Sequence, residues 1–224
     1  MRSQGVIFLR RDGFDFYEDR DGRILNFPFS QGVVFSLEII NLKELKNQIK
    51  TFVETNKLSR ADLMIILLAD VLFEKDIQVQ DPNTQAQEVQ KFLDIIPFES
   101  ISTKILPIQQ GVRAIAVNKN LLDALKISFE EFGFSIEGMV PYEFLGELSS
   151  GINSVTTETS KTIIKQFDSL KEASFEFERN EKKTASQVES QVGKNKPKSL
   201  RLYIILGIFG LLLLILIFLI FTGR

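Results

Sequence analysis

Residues 10–23 read RRDGFDFYEDRDGR, which gathers five carboxylates, four arginines and two Asp-Gly pairs into one short stretch. Three chemistries are open to such a set. Nucleases of the ribonuclease H class hold two metal ions with carboxylates on neighbouring strands, and Asp12, Asp15 and Asp70 are the residues that could be cast in those roles. Backbone amides in a Gly-containing turn can cradle a phosphate. Arg10, Arg11, Arg20 and Arg23 could form a patch for nucleic acid or lipid. Against these stand simpler readings. Asp12-Gly13 and Asp21-Gly22 are hairpin dipeptides, because Gly supplies positive φ and Asp tolerates it. Asp15 lies between Phe14 and Phe16 in an alternating strand, so it is expected to point to solvent while the rings point inward. Opposite charges interleave and cancel locally, which favours a solvated face. The stretch is therefore read as two turns, with no catalytic, cofactor-binding or metal residue assigned.

The whole chain supports that reading. It has 224 residues, a formal net charge of −2, no cysteine and no histidine. Cys-His and Ser-His-Asp catalysis and the usual zinc sites are thereby excluded, since each needs a soft ligand or a group titrating near neutrality. Near-neutral charge gives no field to draw nucleic acid, and no nucleic-acid partner is expected. No cofactor is expected either.

The elements that must position these residues follow from periodicity. Strands are predicted at 6–11, 14–18 and 23–27, forming two hairpins. A helix is predicted over 42–55, with Leu42, Leu45, Ile49, Phe52 and Val53 along one face. Residues 62–76 open with a continuous apolar run of the kind found in a buried strand. A helix at 84–95 ends before Pro97, strands follow at 101–106 and 112–117, and Asn118 caps a helix over 119–132. A strand at 134–140 completes a mixed α/β layer structure over residues 1–150.

Beyond residue 150 the composition turns polar. Residues 151–180 are read as a helical stalk in which Ile163, Phe167, Leu170 and Phe177 fall at coiled-coil spacing. Two uses of that stripe stay open: packing back on its own domain, or pairing with a partner helix or a second copy of the chain. Residues 181–201 lack the apolar surface to offset ordering and are read as a flexible basic linker. Residues 202–221, LYIILGIFGLLLLILIFLIF, carry no charge and match the roughly 20 residues that cross a hydrocarbon core as a helix. Lys194, Lys196, Lys198 and Arg201 precede this run and only Thr222, Gly223 and Arg224 follow it, which places the preceding domain on the cytoplasmic side and the basic residues against anionic lipid. The layout is that of a tail-anchored, single-pass protein of a plasma (inner) membrane.

The segments KFLDIIPF (91–98), VRAIAVN (112–118), LLDALKISFEEF (121–132) and GFSIEGMVP (133–141) are similar, in order and spacing, to the first half of PilM-type pilus assembly proteins and of the related GspL-type cytoplasmic domains of secretion systems. That resemblance implies half of an actin-like, ribonuclease H-like fold. It also implies envelope-assembly partners such as those of a type IV pilus or a type II secretion platform. The family's first phosphate loop is an Asp-x-Gly turn after the opening strand, whereas this chain has Arg11-Asp12-Gly13-Phe14, with Gly directly after Asp and a bulky Phe next. After Pro141 the sequence turns to a short helix and the stalk instead of a second half-cleft. The expected function is a non-catalytic membrane adaptor or scaffold. Its alternative is an actin-like nucleotide-binding ATPase or switch completed by a partner.

Overall fold

The computed structural model describes residues 3–79, 81–151 and 155–175. The chain divides into two units, Met1–Lys183 and Thr184–Arg224, and all described residues belong to the first. The linker at 181–201, the apolar run at 202–221, Phe177 and the cations Lys194, Lys196, Lys198 and Arg201 lie outside the described residues. No described helix is long and apolar enough to cross a membrane.

Strands β1 (Ser3–Arg10), β2 (Gly13–Glu18) and β3 (Arg23–Pro28) form the expected meander, and β6 (Ala61–Leu67) and β10 (Ser135–Pro141) complete a five-stranded sheet in the order β10-β6-β1-β2-β3. β1, β6 and β10 run parallel, whereas β2 and β3 are antiparallel to their neighbours. The parallel strands are apolar without alternation: Val6 to Leu9 and Leu63 to Leu67 are all fully buried, as strands covered on both faces must be.

Each face has its own cover. On one, β2 presents Phe14 and Phe16 to helices α1 (Leu42–Asn56) and α3 (Lys119–Glu131), through Phe52 and Phe129. Both helices start where the chain offers a polar cap: Asn41 Oδ1 accepts the Glu44 N–H at 3.0 Å, and Asn118 Oδ1 accepts the Asn120 N–H at 2.9 Å. Asn118 also donates from Nδ2 to the carbonyl of Leu37 at 3.0 Å. Leu37 sits in the tight turn joining the two-residue strands β4 (Val34–Phe35) and β5 (Glu38–Ile39), where it and Ser36 hold φ of 69° and 49°. Such backbone is strained for a non-glycine residue, and the buried Leu37 side chain with its Asn118 hydrogen bond holds it there.

The opposite face is covered by helices α4 (Thr157–Lys165) and α5 (Phe167–Glu172), reached from β10 through an irregular 3-10 segment, Tyr142–Gly151, broken at Gly146 (φ 59°, ψ −127°). Ile163, Phe167 and Leu170 pack there with Val6, Phe8, Met64, Ile66 and Val140. This decides between the two uses left open for the stripe. Ile163, Phe167 and Leu170 are 0%, 2% and 4% exposed, so they close the protein's own core and are not available as a seam for a partner helix. Residues 157–172 belong to the folded domain, not to a projecting stalk, because the sheet's second apolar face would otherwise meet water.

A second correction concerns the middle of the chain. The strands at 101–108 and 111–118 do not join the first sheet. β8 (Ile101–Ile108) and β9 (Gly111–Asn118) combine with β7 (Phe73–Ile77) in a separate antiparallel sheet ordered β7-β9-β8. The apolar run of β6 is broken after Leu67 by a 3-10 turn at Ala69–Val71, which turns the chain out of the first sheet. Helix α2 (Pro82–Asp94) covers one face of the small sheet through Phe92, packed with Ile77, Ala114 and Ala116.

Candidate functional site

In open α/β sheets ligands bind beyond the carboxyl ends of the parallel strands. Here that end collects Arg10 and the turn after β1, the 3-10 turn after β6, and Tyr142 and Glu143 after β10. The residues of the opening stretch are brought together as sequence suggested, but they are engaged with one another. Arg10 Nη1 lies 3.1 Å from Asp15 Oδ2, and its Nε lies 3.5 Å from Asp12 Oδ1. Asn26 Nδ2 donates to Asp15 Oδ1 at 2.9 Å. Asp15 is only 7% exposed, contrary to the expectation that it faces solvent. The alternation argument found the right face for Phe14 and Phe16. It missed that the reverse face, where Asp15 pairs with Phe8 across the ladder, is covered as well.

The main-chain N–H of Arg11, which a phosphate would require, is donated to Asp70 Oδ2 at 2.9 Å. That N–H is thus already taken by a carboxylate, whose negative charge would repel an anion brought to the same donor. The Asp12 carbonyl is taken by the N–H of Phe29 at 2.7 Å. Gly13 holds φ of 156°, and a Cβ there would stand 2.1 Å from the Phe27 carbonyl oxygen, so this glycine is fixed by the close approach of β3. Among the described residues no three acidic side chains converge to hold a metal ion. In this structure the groups hold one another, Arg10 to Asp15 and Asp12, Asn26 to Asp15, and the Arg11 N–H to Asp70. Asp15→Ala is expected to lower unfolding stability by about 2 kcal/mol, through the partly buried Arg10 left without its partner, while Asp12→Ala at an exposed carboxylate leaves stability unchanged. Urea unfolding of the two variants tests the contrast, and equal effects would contradict the assignment.

A second cluster, which sequence reading missed, lies where the two sheets meet. Arg113 on β9 donates from Nε and Nη2 to Asp76 of β7 at 2.6 and 2.8 Å, and from Nη1 to Glu143 at 2.6 Å. One guanidinium thereby ties the small sheet to the segment leaving β10, and its two carboxylate partners raise its pKa. Nearby, Lys104 of β8 donates to the carbonyls of Ala173 and Ser174 at 2.5 and 3.0 Å, with its ammonium 4.9 Å from the centre of the Phe144 ring. Two signals existed in the sequence: Arg113 interrupts an apolar strand, and Glu74 and Asp76 alternate onto one face. Neither discloses a partner 30 or more residues away.

No protein-family model matches the chain, and no curated protein does. Several solved structures are similar to part of the chain, at low identity. One is a PilM-PilN type IV pilus biogenesis complex, with 13% identity over 64% of this chain and 48% of that chain, at a TM-score of 0.42. Another is the cytoplasmic domain of EpsL, an inner membrane component of the type II secretion system of Vibrio cholerae, with 10% identity over 62% and 57% of the two chains and a TM-score of 0.39. A Bacteroides thetaiotaomicron protein with an actin-like ATPase fold matches at 13% identity over 63% and 52%, TM-score 0.35. The chain spans about half the length of these structures.

Proposed function

We propose that this chain is a non-catalytic, membrane-tethered adaptor that presents its α/β domain at the cytoplasmic face of an inner membrane and recruits proteins of an envelope assembly, such as a pilus or secretion platform. The observation that carries the non-catalytic part is the self-occupied carboxyl end of the parallel sheet, where the Arg11 N–H goes to Asp70 and Asp15 to Arg10 and Asn26. A site whose donors and charges are already paired within the chain has little left with which to bind a nucleotide. The uncharged run at 202–221 with four cations just before it supports the tether, and its position relative to those cations supports the orientation. The choice of an envelope assembly rests on the sequence resemblance of residues 91–141.

The test combines three measurements on the full chain. Photo-crosslinking from domain surface positions in intact cells is expected to capture envelope-assembly components, and the chain is expected to stay with membranes through carbonate extraction. Calorimetric titration of the detergent-solubilised chain with ATP and magnesium is expected to give no saturable heat. Saturable micromolar binding would overturn the reading in favour of a nucleotide-dependent switch. Release into the carbonate supernatant would remove the tether.

A further inference from the structure

Three carboxylates, Glu74, Asp76 and Glu143, stand around the single guanidinium of Arg113. Glu74 and Asp76 are two apart on β7 and so share one face of the small sheet, with Glu74 opposite Ile115 and Asp76 opposite Arg113 in the ladder. Arg113 spends its fork on Asp76 and its remaining Nη1 donor on Glu143 Oε1. Nothing cationic is then directed at Glu74 from that fork. Glu143 Oε2 is buried with no donor directed at it, and the Glu74 carboxyl lies within hydrogen-bonding reach of the Glu143 side chain. Two ionised carboxylates cannot satisfy each other, whereas a carboxylic acid can donate to a carboxylate.

We propose that Glu74 and Glu143 share one proton, and that this proton is a pH-sensitive latch fastening the small sheet to the Tyr142–Gly151 segment on which α4 and α5 depend. Three acids and one guanidinium carry a net charge of −2 when fully ionised, and one retained proton halves it. The other groups facing the pair are Asp76 on β7, Arg113 on β9 and Tyr142 beside Glu143. Lys104, also on this face of the small sheet, directs its ammonium to the Ala173 and Ser174 carbonyls. On the reverse face Lys75 is paired with Glu88 of α2.

Desolvation first, then the hydrogen bond and charge of Glu143, push the Glu74 carboxyl up from 4.5 to about 7, while Arg113 pulls it down. The direction of the effect follows from linkage. The folded chain binds this proton more tightly than the unfolded chain, so the stabilisation is complete below about 4.5 and is lost as pH rises from there through about 7. The latch is tightest in acid below about 4.5, weakens through mildly acidic solution and is open on the alkaline side of neutrality. Glutamine in place of Glu74 keeps a donor for Glu143 at every pH and is expected to hold the latch shut.

The full chain in detergent, with amide hydrogen exchange followed at residues 73–77 and 142–146 and corrected for intrinsic rates, tests this. Glu74 is exposed and solvent screening moderates the effect, so protection in the unaltered chain is expected to fall about threefold to fivefold between pH 6 and pH 8. In Glu74→Gln the same segments are expected to change less than about twofold, retaining protection at pH 8 equal to or above that of the unaltered chain at pH 6. Carbon-13 detection of the Glu74 carboxyl is expected to show a midpoint near neutrality that Glu143→Gln moves downward. A Glu74 midpoint in the ordinary glutamate range, or protection that falls equally in Glu74→Gln, would overturn the proposal.

Discussion

Ending the chain at residue 150 abolishes the cooperative unfolding transition that a chain ending at residue 183 keeps. That is the largest effect the fold predicts, because the cut removes α4 and α5 and bares one whole face of the main sheet. Ile163, Phe167 and Leu170 leave with them, uncovering Val6, Phe8, Met64 and Ile66. Burial of side chains this size contributes about 1.5–3 kcal/mol each, so three of them represent roughly 5–9 kcal/mol. A domain's entire margin is only about 5–15 kcal/mol. Thermal melts followed by circular dichroism, with dye binding to report exposed apolar surface, distinguish the two chains. If the shorter one melts at the same midpoint, the two helices are ornaments and not part of the core.

Phe14→Ala is expected to cost about 3–5 kcal/mol, the upper range for deleting a buried side chain, since the surrounding rings cannot all collapse into the space. Phe14 stacks on Phe27 at 4.5 Å and meets Phe52 and Phe129 edge-on, each at 5.6 Å. It therefore joins β2, β3, α1 and α3 at one point. Phe29 meets Phe14 edge-on with ring centres 6.2 Å apart and is only partly buried, so Phe29→Ala should cost well under half as much. Chemical denaturation with a common slope measures both, and a Phe14 variant as mild as the Phe29 variant would contradict this account of the core.

Legibility in the sequence followed the range of the forces. Local signals placed the meander of β1 to β3, the face of α1, the cap of α3 at Asn118 and the extent of β10, because each depends on neighbours within a turn or a hairpin. Arg10 to Arg23 was readable as two turns for the same reason. What failed depended on who covers whom. The 3-10 turn at Ala69–Val71 sends β7 to another sheet without any Gly or Pro to announce it. The stripe of Ile163, Phe167 and Leu170 has the spacing of a coiled coil and of a core-facing helix alike, and only the bare face of the sheet chooses between them. Asp15 looked solvated because alternation was assumed to imply a wet side, and along β2 both sides are covered. Arg113, Asp76 and Glu143 converge from separated parts of the chain, so their meeting is a property of topology alone.

The way the chain leaves α5 has a mechanical consequence. Phe175 donates its N–H to Met139 at 3.0 Å along the outer edge of β10, Ser174 Oγ accepts the Met139 N–H at 2.9 Å, and Lys104 grips the two carbonyls before them. A pull arriving through the residues beyond Phe175 would meet these bonds one after another at a sheet edge, a peeling geometry that yields at far lower load than strands sheared along their length. The first element to give way would be this short strap, followed by α5 and then α4. With both helices gone the sheet would lose the cover its fold depends on, so the strap at Ser174 and Phe175 is the first restraint in a chain of failure that ends with the whole domain.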